Sequence, residues 1–389
     1  MSADPANAAE RLRHPRILEA GSTRKALSPA QTVTLDWTRG IAAQLVLVGH
    51  FLSLNGVASP FTMQDLGVIL FFVMSGFLIA ASVASKPSDY DYGDFLIDRA
   101  ARVFTPYVPA LAFLWLAGVS FAKDGPTDLV TVMANLFMLQ DFPLHERWEW
   151  FPAFDRVGPG RTLWSIAVEW WCYVGLGALM LRRRQSLWPY LPLFLPALVV
   201  WHHQTVSGRL ALTWMLGALA ASLWSRLPRN APVWAALAAS FTALAVLRWE
   251  AVEGQFYDFL LNVLIGAGLF SFLLAVERLR PPAWLARSGR GLAAFSYSLY
   301  LTHLAFRYFP FWTGLAAANM FAIALWWAVE RHHRAVARGL RTLRKRLRRT
   351  NRQAVQLFRP TSSRPKWNRP AFQTSSIDNQ IRSREGVET

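Results

Sequence analysis

The sequence predicts an all-α integral membrane protein, a polytopic bundle of about ten transmembrane helices with both termini on the cytoplasmic side. Two observations carry this. Of the 389 residues, 53% are hydrophobic and 18 are tryptophan, and the apolar residues gather into lightly charged runs of roughly twenty, the length that crosses a bilayer as a helix. Between the runs, Lys and Arg alternate from rich to poor, as expected where cytoplasmic loops hold the positive charge.

The predicted spans are 33–54, 66–84, 103–122, 162–181, 187–202, 208–225, 231–248, 256–276, 290–309 and 311–330. The fifth is short and holds Pro189, Pro192 and Pro196, which membrane helices tolerate. Residues 1–32 form a basic tail with no apolar segment, so no cleavable signal peptide is expected and the first span is an uncleaved anchor. This tail carries Arg11, Arg13, Arg16, Arg24 and Lys25. Lys86, Arg99 and Arg102 follow the second span, Arg182 to Arg184 the fourth, Arg226 and Arg229 the sixth, and Arg278, Arg280, Arg287 and Arg290 the eighth. The connection after the first span has none. The location this implies is the inner (plasma) membrane, multi-pass.

The net charge of +17 sits mainly in residues 331–389, which hold 16 Lys/Arg against 3 Asp/Glu. Because this segment follows directly on a span, anionic lipid headgroups are its simplest partner, and no nucleic acid is expected. The tail is predicted to be disordered, its last part, 361–389, being rich in Ser, Pro, Asn and Gln. Three regions result: the tail 1–32, a membrane domain 33–330, and the tail 331–389. The single cysteine, Cys172, lies in a span and reads as packing. No metal-type cysteine cluster, phosphate-binding glycine loop or serine-nucleophile elbow is present, and no metal is expected. Nothing in the sequence sets the oligomeric state.

The first span carries the most telling chemistry. Arg39 and His50 are eleven residues apart, about three helical turns, so they share a face roughly 16 Å apart along the axis. Ionisable groups inside a span face a bundle interior or a cavity. Asp36 lies one turn before Arg39 and can pair with it. Asp36 and Arg39 also read as a topology anchor, and His50 as a core histidine. Arg99 and Arg102, three apart on one face, fit a phosphate clamp and also fit positive-inside anchoring. Ser75-Gly76 fits either close helix packing or a catalytic use of Ser75. Glu169 lies about two turns into the fourth span, after Trp164-Ser165. A carboxylate there needs a partner, and His50 is at a similar depth, so Glu169 could orient His50 or form a buried ion pair. Ser296, Tyr300 and His303 fall at i, i+4 and i+7, lining an acceptor pocket or forming a packing stripe. Trp148, Glu149, Trp150 and Asp155, in the long connection 123–161, suit either sugar contact or interfacial anchoring. His202-His203 read as interfacial.

These blocks resemble the membrane-bound acyltransferase-3 family. The likeness rests on Leu35-Asp36, Arg39-Gly40, Ala42-Ala43 and His50, then Phe71-Phe72-Val73, Ser75-Gly76-Phe77, Arg99, Arg102, Pro106-Tyr107, LWSIAVEWWCY at 163–173 and FSYSLYLTHL at 295–304. The blocks come in order over about 33–330. One position departs: Ile69 stands where the family usually has an acidic residue. The resemblance implies acyl transfer, usually of acetyl from acetyl-CoA, to a hydroxyl of a lipid-linked or exported glycan. In that reading His50 is the general base and Glu169 its orienting partner. Arg39, Arg99 and Arg102 hold the donor, and Ser75, Trp164, Tyr300 and His303 meet substrate. Two other readings stand beside it: a transporter or flippase of a glycan or lipid intermediate, and an acyltransferase acting on a small-molecule glycoside.

Overall fold

The computed structural model describes residues 27–57, 62–120, 127–140, 155–181, 206–252 and 257–357, with side chains described as far as residue 350. The chain divides into two compact units, Met1–Arg341 and Thr342–Thr389. Among the described residues the regular structure is entirely helical. The helices are α1 (Pro29–Leu54), α2 (Met63–Ala84), α3 (Tyr92–Ser120), α4 (Leu129–Leu136), α5 (Leu163–Leu181), α6 (Val206–Leu223), α7 (Ala231–Ala251), α8 (Phe259–Ala275), α9 (Ala283–Ala294), α10 (Ser296–Thr302), α11 (Phe311–Ala328) and α12 (His333–Leu357). Two 3-10 turns, His303–Phe306 and Glu330–His332, follow α10 and α11.

Among the described residues, six helical stretches are long and apolar enough to cross a membrane: α2, α3, α5, α6, α7 and the stretch Phe311–Thr350 that begins with α11. Helix α8 is apolar but shorter. Helix α1 has the length, 26 residues, but carries Asp36, Arg39, Gln44 and His50. Six qualifying helices therefore stand against the ten predicted. The predicted fifth span, 187–202, lies outside the described residues, as do Arg182 to Arg184, Trp148 to Trp150, His202 and His203. In α7 only 6% of the apolar window is buried, and Leu244, Val246 and Leu247 are exposed. Such a surface suits hydrocarbon rather than water.

Helix α1 begins four residues before the predicted 33. Ser28 Oγ accepts the Gln31 N–H at 3.2 Å, Gln31 Oε1 accepts the Ser28 N–H at 2.9 Å, and Pro29 occupies the first turn, a reciprocal cap that fixes the start. The same Gln31 donates through Nε2 to Leu273 O of α8 at 3.1 Å. Helix α3 starts at Tyr92, eleven residues before the predicted 103. Its first three turns mix Phe95, Leu96 and Ile97 with Asp94, Asp98, Arg99 and Arg102, and these charges break the apolar run on which the sequence expectation rests.

Small residues set the helix crossings. A Cβ on Gly76 would run into Trp214 O, and one on Gly217 into Val73 O, so α2 and α6 meet backbone to backbone. Helix α9 packs on α1 by seating side chains on glycines: a Cβ on Gly40 would strike the Leu292 side chain, and one on Gly289 the Trp37 ring. Trp37 Nε1 donates to Leu285 O at 3.0 Å across that contact.

The predicted span 290–309 is not one helix. It breaks at Phe295 between α9 and α10, and the chain then tightens into the turn His303–Phe306. The residues expected to be a disordered tail begin as helix α12. Val336, Leu340, Leu343 and Leu347 recur along it at helical spacing, all exposed, among many Arg and Lys.

Candidate active site

The first unit encloses a cavity of about 160 Å³, lined from α1, α2, α3, α5 and α10. Its lining includes Arg39, Arg99 and Arg102, then Ser75, Glu169, Tyr173, Ser165, Ser296, Tyr297 and Tyr300, with Phe71, Phe72 and Met74 between them. By the usual rule of about 10–15 Å³ per water, it has room for several waters or a slender ligand.

The three arginines come from two helices. Arg39 projects from α1 with Asp36 one turn below it; Arg290 also lies near that carboxylate. Arg99 and Arg102 project from the first turns of α3. Arg99 stands 5.9 Å from the Phe95 ring centre. Its Nε is fully enclosed with no hydrogen-bond partner among the described residues. An enclosed donor without an acceptor is costly, by about 1–3 kcal/mol, unless a ligand supplies one. Arg102 is engaged. Its Nη1 donates to Glu330 Oε1 at 2.7 Å, and its guanidinium lies 5.6 Å from the Tyr297 ring centre.

Deeper in the cavity runs a directed chain of hydrogen bonds. Trp214 Nε1 donates to Ser75 Oγ at 3.1 Å. Ser75 Oγ and Tyr173 Oη are 3.1 Å apart. Because Tyr173 donates its proton to Glu169 Oε1, Ser75 must donate to Tyr173. The chain ends on the carboxylate, so each bond polarises the next. At the far wall Tyr300 Oη and Ser165 Oγ are 2.5 Å apart. Ser165 donates to Thr162 O at 3.0 Å, which makes Tyr300 the donor.

Beyond Tyr300 lie two histidines. The Tyr300 and His303 ring centres are 6.1 Å apart, and those of His303 and His50 are 5.2 Å apart. His303 Nδ1 faces the carbonyls of Leu299 and Tyr300 at 3.2 and 3.0 Å. His50 Nδ1 faces Val46 O at 2.8 Å and His303 Nε2 at 3.4 Å. Carbonyls only accept, so both Nδ1 atoms carry the proton in the neutral rings. His303 Nε2 is then an acceptor for His50 Nδ1–H, and His50 keeps its Nε2 lone pair.

Arg39, Arg99, Arg102, Ser75, Glu169 and Tyr300 thus share one cavity, although they are spread along some 260 residues of sequence. His50 and His303 pair beside it and are not among its lining residues. Trp164 sits half-buried near the same end, edge-on to Tyr257 at 5.9 Å. The partners differ from those expected: Glu169 receives Tyr173, and His50 is oriented by Val46 O and His303. Two residues were missed. Tyr173 follows Glu169 by one turn, a spacing visible in the sequence. Glu330, 0% exposed, ends the last predicted span next to Arg331, where it reads as an interfacial charge.

Comparison with known proteins identifies the family. An acyltransferase domain model, acyltransferase 3, matches residues 33–330. An O-acetyl transferase of Shigella phage Sf6 is 29% identical over 157 residues, 36% of this chain and 44% of that protein. The putative peptidoglycan O-acetyltransferase YrhL of Bacillus subtilis (strain 168) is 25% identical over 169 residues, 39% of this chain and 25% of that protein. The chain therefore aligns with less than half the length of either relative. No solved structure matches it. Because the family model spans residues 33–330, well over half of the sequence, the chain belongs to the acyltransferase-3 family.

Proposed function

We propose that the protein is a multi-pass inner-membrane O-acetyltransferase that moves acetyl from acetyl-CoA, bound from the cytoplasm, to a hydroxyl of a surface or exported carbohydrate. The observation that carries this reading is the convergence of Arg39, Arg99 and Arg102 on one cavity whose other end abuts the His303–His50 pair. Three guanidiniums lining one cavity suit the phosphates of a nucleotide, which arginine binds through its planar fork. The positive-inside bias puts that end at the cytoplasm. A pantetheine arm entering past Ser75 and Tyr173 brings its thioester toward Tyr300, which must shift to open the cavity to His50.

His50 is the general base. Its Nδ1–H is held by Val46 O and His303, so Nε2 takes the proton from the acceptor hydroxyl as that oxygen attacks the thioester carbon. The C–S bond breaks, the coenzyme leaves as thiolate, and the proton on His50 Nε2 passes to it. Tyr300 and Trp164 contact the acceptor. An acceptor carbohydrate also agrees with the name of one relative, the putative peptidoglycan O-acetyltransferase of Bacillus subtilis. The basic tail meets anionic lipid headgroups.

The donor assignment has a direct test. Arg99→Gln with Arg102→Gln should raise KM for acetyl-CoA by roughly 100-fold or more, since each charge-assisted bond is worth about 1.5–3 kcal/mol and two are removed. Acetyl-pantetheine, which lacks the nucleotide, should lose much less. Equal loss with both donors would assign the arginines to the fold instead.

A further inference from the structure

We propose that Glu330 is a positioning residue for the acyl donor: it holds Arg102 in the orientation that receives a coenzyme A phosphate. The inference rests on the donor reading above and adds a residue to it.

A carboxylate with no solvent exposure must be compensated by hydrogen bonds and charge. Glu330 is compensated from two sides. Its Oε2 accepts the Ser298 N–H at 3.2 Å and Ser298 Oγ at 2.7 Å. Its Oε1 accepts Arg102 Nη1 at 2.7 Å. The Ser298 bonds come from α10 just after the break at Phe295, where a helix start leaves N–H groups without intrahelical partners. Glu330 is thereby fixed on α10, and Arg102 is fixed on Glu330.

The exposures of the pair are unequal. The Glu330 side chain is 1% exposed and that of Arg102 is 31% exposed. The ion pair is therefore not sealed on the arginine side. One guanidinium nitrogen is used by Glu330, one face is covered by Tyr297, and Arg102 still lines the cavity. A guanidinium has five donors in one plane, so fixing one nitrogen and one face sets the direction of the others. Lost direction is lost affinity for a planar, bidentate acceptor such as phosphate. The pairing also lowers the repulsion of gathering cations, because Arg39 lies within interaction range of both Arg102 and Glu330. Arg99, whose Nε is unpartnered, supplies the second donor.

A purely structural role would be to tie α3, α10 and the end of α11 together. Glu330→Gln separates the two roles. The Gln carbonyl still accepts from Ser298, but its amide cannot accept from Arg102. In the full-length protein in native membranes, E330Q should raise KM for acetyl-CoA about tenfold with saturated turnover within about twofold of the parent. The effect on acetyl-pantetheine should be several-fold smaller. E330Q added to R102Q should cost no more than R102Q alone, because the two act as one unit. Should E330Q not accumulate, Ser298→Ala, which removes one bond to Glu330, should shift the same KM in the same direction by less. If R102Q raises KM for acetyl-CoA while E330Q and S298A leave it unchanged, or if E330Q damages both donors equally, Glu330 does not position the donor. If R102Q itself leaves that KM unchanged, the donor reading fails and this inference falls with it.

Discussion

His50 and His303 are 253 positions apart in sequence and share a hydrogen-bond geometry of 3.4 Å. No periodicity links residues so distant, which is why the sequence suggested Glu169, at similar depth, as the partner of His50. The structure gives each its own partner, and the two arrangements differ in measurable ways. If His303 fixes the tautomer of His50, His303→Gln should lower turnover about tenfold or more and leave KM for acetyl-CoA near that of the parent, because Arg39, Arg99 and Arg102, proposed to hold the donor, are untouched. Glu169→Gln acts on the hydrogen-bond chain through Tyr173 and Ser75. It shares no contact with His303, so the two defects should add in free energy, as they do for independent sites. Strong non-additivity between them would restore the direct Glu169–His50 link. The Arg39–His50 spacing and the Arg99/Arg102 pair were legible because helical periodicity places residues on a face. Glu330 was not, because an acid beside an arginine at a span end looks the same whether it is buried or solvated.

The helices divide in a similar way. The apolar lengths of α2, α5, α6, α7 and α11 were legible to within a few residues, since hydropathy reports what a bilayer requires. The break at Phe295 was not. The run Ala293-Ala294-Phe295-Ser296 contains neither Pro nor Gly, and the bend comes from tertiary contacts, namely α9 packing on α1 and Glu330 meeting Ser298. The close crossing of α2 and α6 was only suggested, by Ser75-Gly76. It matters to the site because Trp214 of α6 reaches Ser75 of α2 across it. Gly76→Ala should therefore force the helices apart. Overpacking of this kind costs about 1–3 kcal/mol, so the protein should unfold at lower temperature in detergent and lose activity. Gly339→Ala is the control: a Cβ there meets nothing within 4 Å, and alanine favours helix by about 1 kcal/mol. Equal behaviour of the two variants would mean that the crossing is not tight.

At the scale of the molecule, charge and chemistry are separated along α1. Arg39, Arg99 and Arg102 line one part of the cavity and Tyr300 another, with His303 and His50 beyond Tyr300 and outside the lining. The eleven residues between Arg39 and His50 give roughly 16 Å of rise, which spans much of the hydrocarbon core. The central claim is that His50 removes the acceptor proton. A purified full-length enzyme, assayed for acetyl transfer from acetyl-CoA, tests it most directly through His50→Gln. Glutamine keeps volume and hydrogen bonding to Val46 O but cannot take a proton at neutral pH. The account predicts a fall in turnover of about 10²–10⁴-fold with normal expression and membrane insertion. Turnover near that of the parent enzyme would contradict it, and would leave His50 a packing residue of the bundle.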